Sequence, residues 1–267
     1  MKALLTLSAL AFLLSVPPAR AEGIPDDLAR IEVLPGWRTA DGRHMAALRL
    51  VLAPGWKTYW RAPGSAGLAP ILDFEASTGI DGAEARWPVP EVFHFNGMRS
   101  IGYHDAVTIP VELSIDPAKG PAHLAGAVEI GVCDQICVPV RLSFAADLPA
   151  AGGRDPAIAA ALVDRPFTAE EAGAQATCAV TPDPDGLGLT VRLSMPPLGP
   201  EEAVVIESGD PGLWVSEPRA ERQGGTLVAT AQALARDGGP VALDRSDLRI
   251  TVLAQGQAVD IQGCTAG

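Results

Sequence analysis

The chain has 267 residues, with 32 Asp and Glu against 20 Lys and Arg, giving a formal charge of −12. That balance speaks against nucleic acid or an anionic membrane as partner, since both need clustered Lys and Arg. Aromatics are only 5% while Gly (28) and Pro (24) are abundant, a mix that excludes a long-helix protein and favours short strands with tight turns.

The N-terminus carries a leader pattern. Lys2 precedes an apolar run over residues 3–16, Pro17 and Pro18 follow, and Ala19-Arg20-Ala21 has the small-x-small form read by a signal peptidase. The run is short of the roughly 20 residues that span a bilayer. Cleavage after Ala21, export to the periplasm and no later membrane span are therefore expected. Loss of Lys2 and Arg20, the only charges in that segment, moves the formal charge from −12 to −14.

The remaining residues suit two domains of ordinary size. Strand-like runs follow at 30–34, 45–52, 69–74, 83–87, 107–113, 123–132 and 138–144, with a turn at Asp41-Gly42. Seven short runs with regular turn signals predict an antiparallel sandwich of immunoglobulin-like type over residues 22–148. The βαβ alternation of a Rossmann or thioredoxin-like layout is missing. Residues 149–174 read as a linker in which Asp155 caps a short helix from Pro156 to Val163. Residues 175–267 resume the strand pattern at 178–180, 187–193, 203–206, 226–231, 248–253 and 258–261. The fold class expected is all-β, two immunoglobulin-like antiparallel β-sandwich domains joined by a linker with a short helix.

Four cysteines in an oxidising compartment point to disulfides. Cys133-Asp134-Gln135-Ile136-Cys137 lies between two strand-like runs, so a hairpin tip would set the cysteines opposite each other. Opposed residues of an antiparallel pair have Cα atoms roughly 4.5–5.5 Å apart, within reach of a disulfide. A ring this small removes little chain entropy, and small disulfides tend to be the labile ones. The spacing leaves three readings open: redox exchange, a hairpin staple, or a soft-metal site holding copper(I) between Cys133 and Cys137. Cys178 and Cys264 sit near the two ends of the second domain, and a structural bond from first strand to last is the natural reading. Phosphate loops, Gly-x-Ser-x-Gly elbows and His-Glu-x-x-His motifs do not occur, and His44, His94, His104 and His123 are scattered. No cofactor or resident metal is expected.

Three segments then occur in order. They are Gly55-Trp56-Lys57-Thr58-Tyr59-Trp60-Arg61-Ala62-Pro63-Gly64, Thr108-Ile109-Pro110-Val111, and Gly131-Val132-Cys133-Asp134-Gln135-Ile136-Cys137-Val138-Pro139-Val140. Together they resemble the N-terminal periplasmic domain of DsbD-type thiol:disulfide interchange proteins, with the subgroup linked to suppression of copper sensitivity closest in pattern. The resemblance implies an immunoglobulin-like domain whose hairpin carries two exchanging cysteines, here Cys133 and Cys137, and an activity of the protein-disulfide reductase kind. It implies electrons received from a membrane-embedded donor and passed to periplasmic thioredoxin-like proteins, including disulfide isomerases and cytochrome c maturation factors. A cap with an aromatic residue shields the pair in that family. Phe95, within Phe93-His94-Phe95-Asn96-Gly97, stands in for it, and Tyr59 and Trp60 fall where the family sets aromatics beside the site, or else in the sandwich core.

The sequence departs from the family pattern in its three-residue cysteine spacing and in having Phe93-His94 where an acidic pair precedes the cap. Nothing after residue 148 reads as a membrane or thioredoxin-like domain, so a separate membrane donor is expected. The rival expectations are a copper(I)-binding or copper-tolerance module using the same thiols, and a structural pair of β-sandwiches.

Overall fold

Alternating apolar residues, broken by Gly and Pro, make strands the dominant regular structure of the described residues, beside one short α-helix. The computed structural model describes residues 27–65, 67–95 and 97–267. The expected leader, with its expected cleavage after Ala21, falls outside the described residues. Among the described residues no helix is long and apolar enough to cross a membrane.

The first half forms ten strands: β1 (Ala29–Arg38), β2 (His44–Leu52), β3 (Lys57–Tyr59), β4 (Ile71–Asp73), β5 (Ile80–Ala85), β6 (Glu91–Phe95), β7 (Met98–His104), β8 (Ala106–Ile115), β9 (His123–Cys133) and β10 (Cys137–Asp147). They make two antiparallel sheets, ordered β1-β2-β8-β5 and β10-β9-β3-β7-β6, with β4 also on β9. Between them lie Leu48, Leu50, Trp60, Ile101, Ile109, Leu113, Leu124, Val128 and Val132. Burying each such side chain is worth about 1.5–3 kcal/mol against exposure. This is the layered all-β arrangement that an immunoglobulin-like sandwich requires.

The helix α1 (Pro156–Val163) begins where its sequence says it must: the Asp155 carboxylate accepts from the amides of Ala157 (2.8 Å) and Ile158 (3.2 Å), with Pro156 at the first turn. Its Ile158 is fully buried against Met45 and Ala47, so the linker segment packs on the outer side of the β1-β2-β8-β5 sheet.

The second half adds β11 (Phe167–Thr168), β12 (Gln175–Asp183), β13 (Gly186–Ser194), β14 (Ala203–Glu207), β15 (Leu213–Val215), β16 (Arg219–Gln223), β17 (Thr226–Ala235), β18 (Arg249–Ala254), β19 (Gln257–Gln262) and β20 (Thr265–Ala266). One sheet is β11-β19-β18-β14 and the other β15-β17-β13-β12-β20, with β16 also on β17. They enclose a second core that includes Cys178, Leu189, Leu193, Leu227, Leu248 and Ile250. Ala203, Val205, Leu253 and Ala258, all from the β14-β18-β19 side, instead join the first core, so the two halves share apolar contact.

The longer expected runs agree with observed strands, but short pieces shift. The run at 69–74 shrinks to β4, which starts after Pro70, and that at 83–87 becomes β5, ending before Trp87-Pro88-Val89-Pro90. Proline supplies no amide to a ladder and holds its predecessor extended, which sets both limits. β3, β6, β7, β11, β15, β16 and β20 have no counterpart in the expected runs.

Candidate functional site

The β9–β10 hairpin sets the site. Its ladder is in register from Asp147↔His123 to Cys137↔Cys133, so both cysteines stand directly opposite at the tip, Cα atoms 4.1 Å apart, and are disulfide-bonded. The exposed loop Asp134-Gln135-Ile136 closes with an Asp134 amide to Ile136 carbonyl bond of 3.0 Å. The two sulfur-bearing residues differ sharply in access. Cys133 is 1% exposed, while Cys137 opens to solvent at the start of β10, the edge strand of its sheet. Pro139, opposite Gly131, sits where an edge strand tolerates a missing amide.

Strand β3 brings the next side chains. Lys57 is in register with Cys133 and Thr58 with Val132, and the Thr58 hydroxyl donates to the Gly131 carbonyl (2.9 Å), locking the pairing. Side chains alternate across a strand, so Lys57 and Tyr59 share the face that carries Cys133. The Tyr59 hydroxyl lies 3.3 Å from the Cys137 sulfur. Tyr59 is 3% exposed, and burial pushes its phenol up, so it is a protonated donor at neutral pH. Its ring packs closely on two glycines. A Cβ on Gly131 would come 3.2 Å from the ring and 3.1 Å from Leu68, and one on Gly67 would clash with the ring at 2.8 Å. The absence of side chains there lets residues 67–68 lie over Tyr59.

Trp60 faces the other way. It is fully buried in the first core, its indole nitrogen has no hydrogen-bond partner, and the Arg61 guanidinium stacks 3.9 Å over its ring. Of the expected aromatic pair, Tyr59 is therefore the one that touches the cysteines. Phe95 ends β6 and stands opposite Met98 across the hairpin turn; its side chain lies outside the described residues. Two residues earlier, the Phe93 ring meets His104 edge-on at 4.4 Å and receives the Lys57 ammonium at 5.0 Å. His104 is in register with Lys57 and pairs with Glu91 at 3.2 Å. Sequence reasoning missed Lys57, Leu68 and Phe93. A signal for Lys57 was present, because it precedes Tyr59 by two positions and so shares its face.

The second pair is also bonded. Cys178 on β12 is fully buried and meets Cys264, which lies between β19 and β20, Cα atoms 5.8 Å apart. The bond thus links the segment leaving one sheet of the second half to a strand of the other. Among the described residues no three His, Cys, Asp or Glu side chains converge as a metal group. In the bonded state neither Cys133 nor Cys137 presents the thiolate that copper(I) prefers.

A hairpin disulfide with one sheltered and one accessible sulfur, beside a buried phenol, is suited to accepting attack by an external thiolate. Comparison with known proteins agrees with that chemistry. No curated protein sequence matches the chain. The solved N-terminal periplasmic domain of ScsB from Proteus mirabilis is similar in fold, with a TM-score of 0.66 and 22% identity over 91% of this chain and 95% of that one. The family model described as thiol:disulfide interchange protein DsbD, N-terminal, matches residues 30–149. By its hairpin, its cysteines and this match, the segment 30–149 belongs to the DsbD N-terminal family of thiol:disulfide interchange domains.

Proposed function

We propose that the chain is a periplasmic thiol–disulfide exchange protein that relays electron pairs through Cys133 and Cys137 to or from thioredoxin-like proteins. The observation that carries this reading is the asymmetry of the pair, Cys137 open to solvent and Cys133 buried. A partner thiolate attacks the Cys137 sulfur in line with the disulfide. The S–S bond breaks, Cys133 leaves as a thiolate and takes up a proton, and a mixed disulfide joins Cys137 to the partner. The partner's second thiol, deprotonated, then attacks its own bridged sulfur and releases Cys137 as a thiolate, which takes up the second proton. Two electrons and two protons have moved, and the partner leaves oxidised. Tyr59 donates to the Cys137 sulfur and so stabilises the charge that gathers on it in the second step. Reversal passes the electrons onward, and no bound cofactor takes part.

In this reading residues 1–21 are the export signal, 22–148 the redox domain, 149–174 the linker and 175–267 a second immunoglobulin-like sandwich stapled by Cys178–Cys264. Tyr59, with Phe95 at the end of β6, shields the pair, and Trp60 holds the strand from the core side.

The test is trapping. Cys133→Ser leaves Cys137 unable to be resolved internally and should accumulate a mixed disulfide with an oxidised thioredoxin-like protein, while Cys137→Ser should trap far less. Equal trapping by both variants would refute the assigned order, and no exchange by the unaltered protein would refute the function.

A further inference from the structure

The second half of the chain touches the segment that follows Tyr59 through Arg61 and Ser65. The Arg61 guanidinium, buried to 12% exposure, donates to the two oxygens of Glu207 at 3.2 and 2.9 Å and to the Thr251 hydroxyl at 3.3 Å, with Asp260 at 4.0 Å. The Ser65 hydroxyl donates to Glu217 at 2.7 Å. The same carboxylate meets Arg99 of β7 as an ion pair at 3.0 Å, without the alignment of a hydrogen bond, and Arg99 also reaches the Val204 carbonyl at 3.4 Å.

On its other side, this segment is tied to the redox half. The Ile101 amide donates to the Pro63 carbonyl at 2.9 Å, and a Cβ on Gly64 would meet the Arg99 carbonyl at 2.9 Å, so the backbone there lies flat on β7. Immediately beyond, Gly67 and Leu68 rest on the Tyr59 ring and on Gly131. Gly67 also packs on Pro63, so the contacts run from Glu207 and Glu217, through residues 61–65 and Gly67, to the Tyr59 ring and the Cys137 sulfur. Charged groups this sheltered hold position well, because an unpaired partner is costly where water is scarce.

We infer that the C-terminal sheets act as a positioning clamp for the redox site: Glu207 and Glu217 fix residues 61–65, which hold Leu68 and Tyr59 against Cys137 and limit access to its sulfur. Arg61, Ser65 and Glu217 are positioning residues that reach the sulfur through Tyr59. The inference rests on the exchange function proposed for Cys133–Cys137.

The test is the rate of disulfide reduction by dithiothreitol in the full chain, read by thiol alkylation, beside the equilibrium constant with glutathione. Glu217→Ala and Ser65→Ala each remove a clamp contact. Leu68→Ala trims an exposed side chain at the other end of the series. Each should raise the reduction rate of Cys133–Cys137 at least threefold, Ser65→Thr should restore it, and Glu217→Ala combined with Leu68→Ala should give less than the product of the two effects. Should Glu217→Ala not fold, Ser65→Ala decides. Rates less than threefold above the unaltered protein, whatever happens to the unfolding midpoint, would overturn the clamp while leaving the exchange function standing. A Cys133–Cys137 bond that resists reduction in the unaltered protein would overturn both.

Discussion

Replacing each cysteine pair by alanines separates a staple from a working bond. The Cys178–Cys264 bond closes a separation of 86 residues and the Cys133–Cys137 bond one of 4. In the chain-entropy model those loops correspond to about 4.6 and about 1.9 kcal/mol of stabilisation at 25 °C, a difference of about 2.7 kcal/mol. Local structure widens the gap. Cys178 is fully buried in the second core, so its loss also removes packing, whereas Cys133 and Cys137 are already held opposite by an eleven-pair ladder. Urea unfolding of the two double variants, followed by far-ultraviolet circular dichroism, should show a large fall in midpoint for Cys178→Ala/Cys264→Ala. For Cys133→Ala/Cys137→Ala it should show a small fall at unchanged slope. Equal losses, or a greater loss from the hairpin pair, would refute the reasoning, because the short bond would then be acting as the staple.

Two further outcomes follow from single side chains. Tyr59→Phe keeps the ring against Gly67 and Gly131 but removes the donor to Cys137; a hydrogen bond to a charged group is worth about 1.5–3 kcal/mol, so alkylation of reduced Cys137 at neutral pH should slow by about tenfold or more. His44 is fully buried, its Nε2 lies 2.6 Å from the Pro35 carbonyl and its Nδ1 has no partner; burial holds its imidazole below the usual 6.5. The unfolded chain therefore takes up the proton first. Stability is at its full value above about pH 6.5 and falls as pH drops below it. Urea midpoints measured from pH 8 to pH 5 should show this fall, and His44→Gln should flatten it.

The parts of the molecule written in local pattern were legible before any coordinates. The hairpin that opposes Cys133 and Cys137 follows from two alternating runs around three residues, and Asp155-Pro156 marked the start of α1 because capping is a local interaction. The union of Cys178 with Cys264 likewise needed only their places at the two ends of the second half. What escaped notice depends on partners distant in sequence. β3 is three residues long, too short to show a period, and exists because β7 and β9 flank it. Tyr59 and Trp60 are neighbours with opposite fates, one at the sulfur and one in the core, and only the register of β3 decides which is which. The role of Arg61 has no local signal, because Glu207, to which it donates, lies 146 positions later.

The central claim is that Cys133–Cys137 is a reversible bond in a protein whose other bond is not. Equilibrating residues 22–267 in graded glutathione buffers and tagging free thiols by mass tests it most directly. The account predicts that Cys133 and Cys137 titrate together as a two-electron couple above roughly −300 mV, while Cys178 and Cys264 remain oxidised throughout. A hairpin bond that stays oxidised alongside the second pair would contradict it and make both bonds structural.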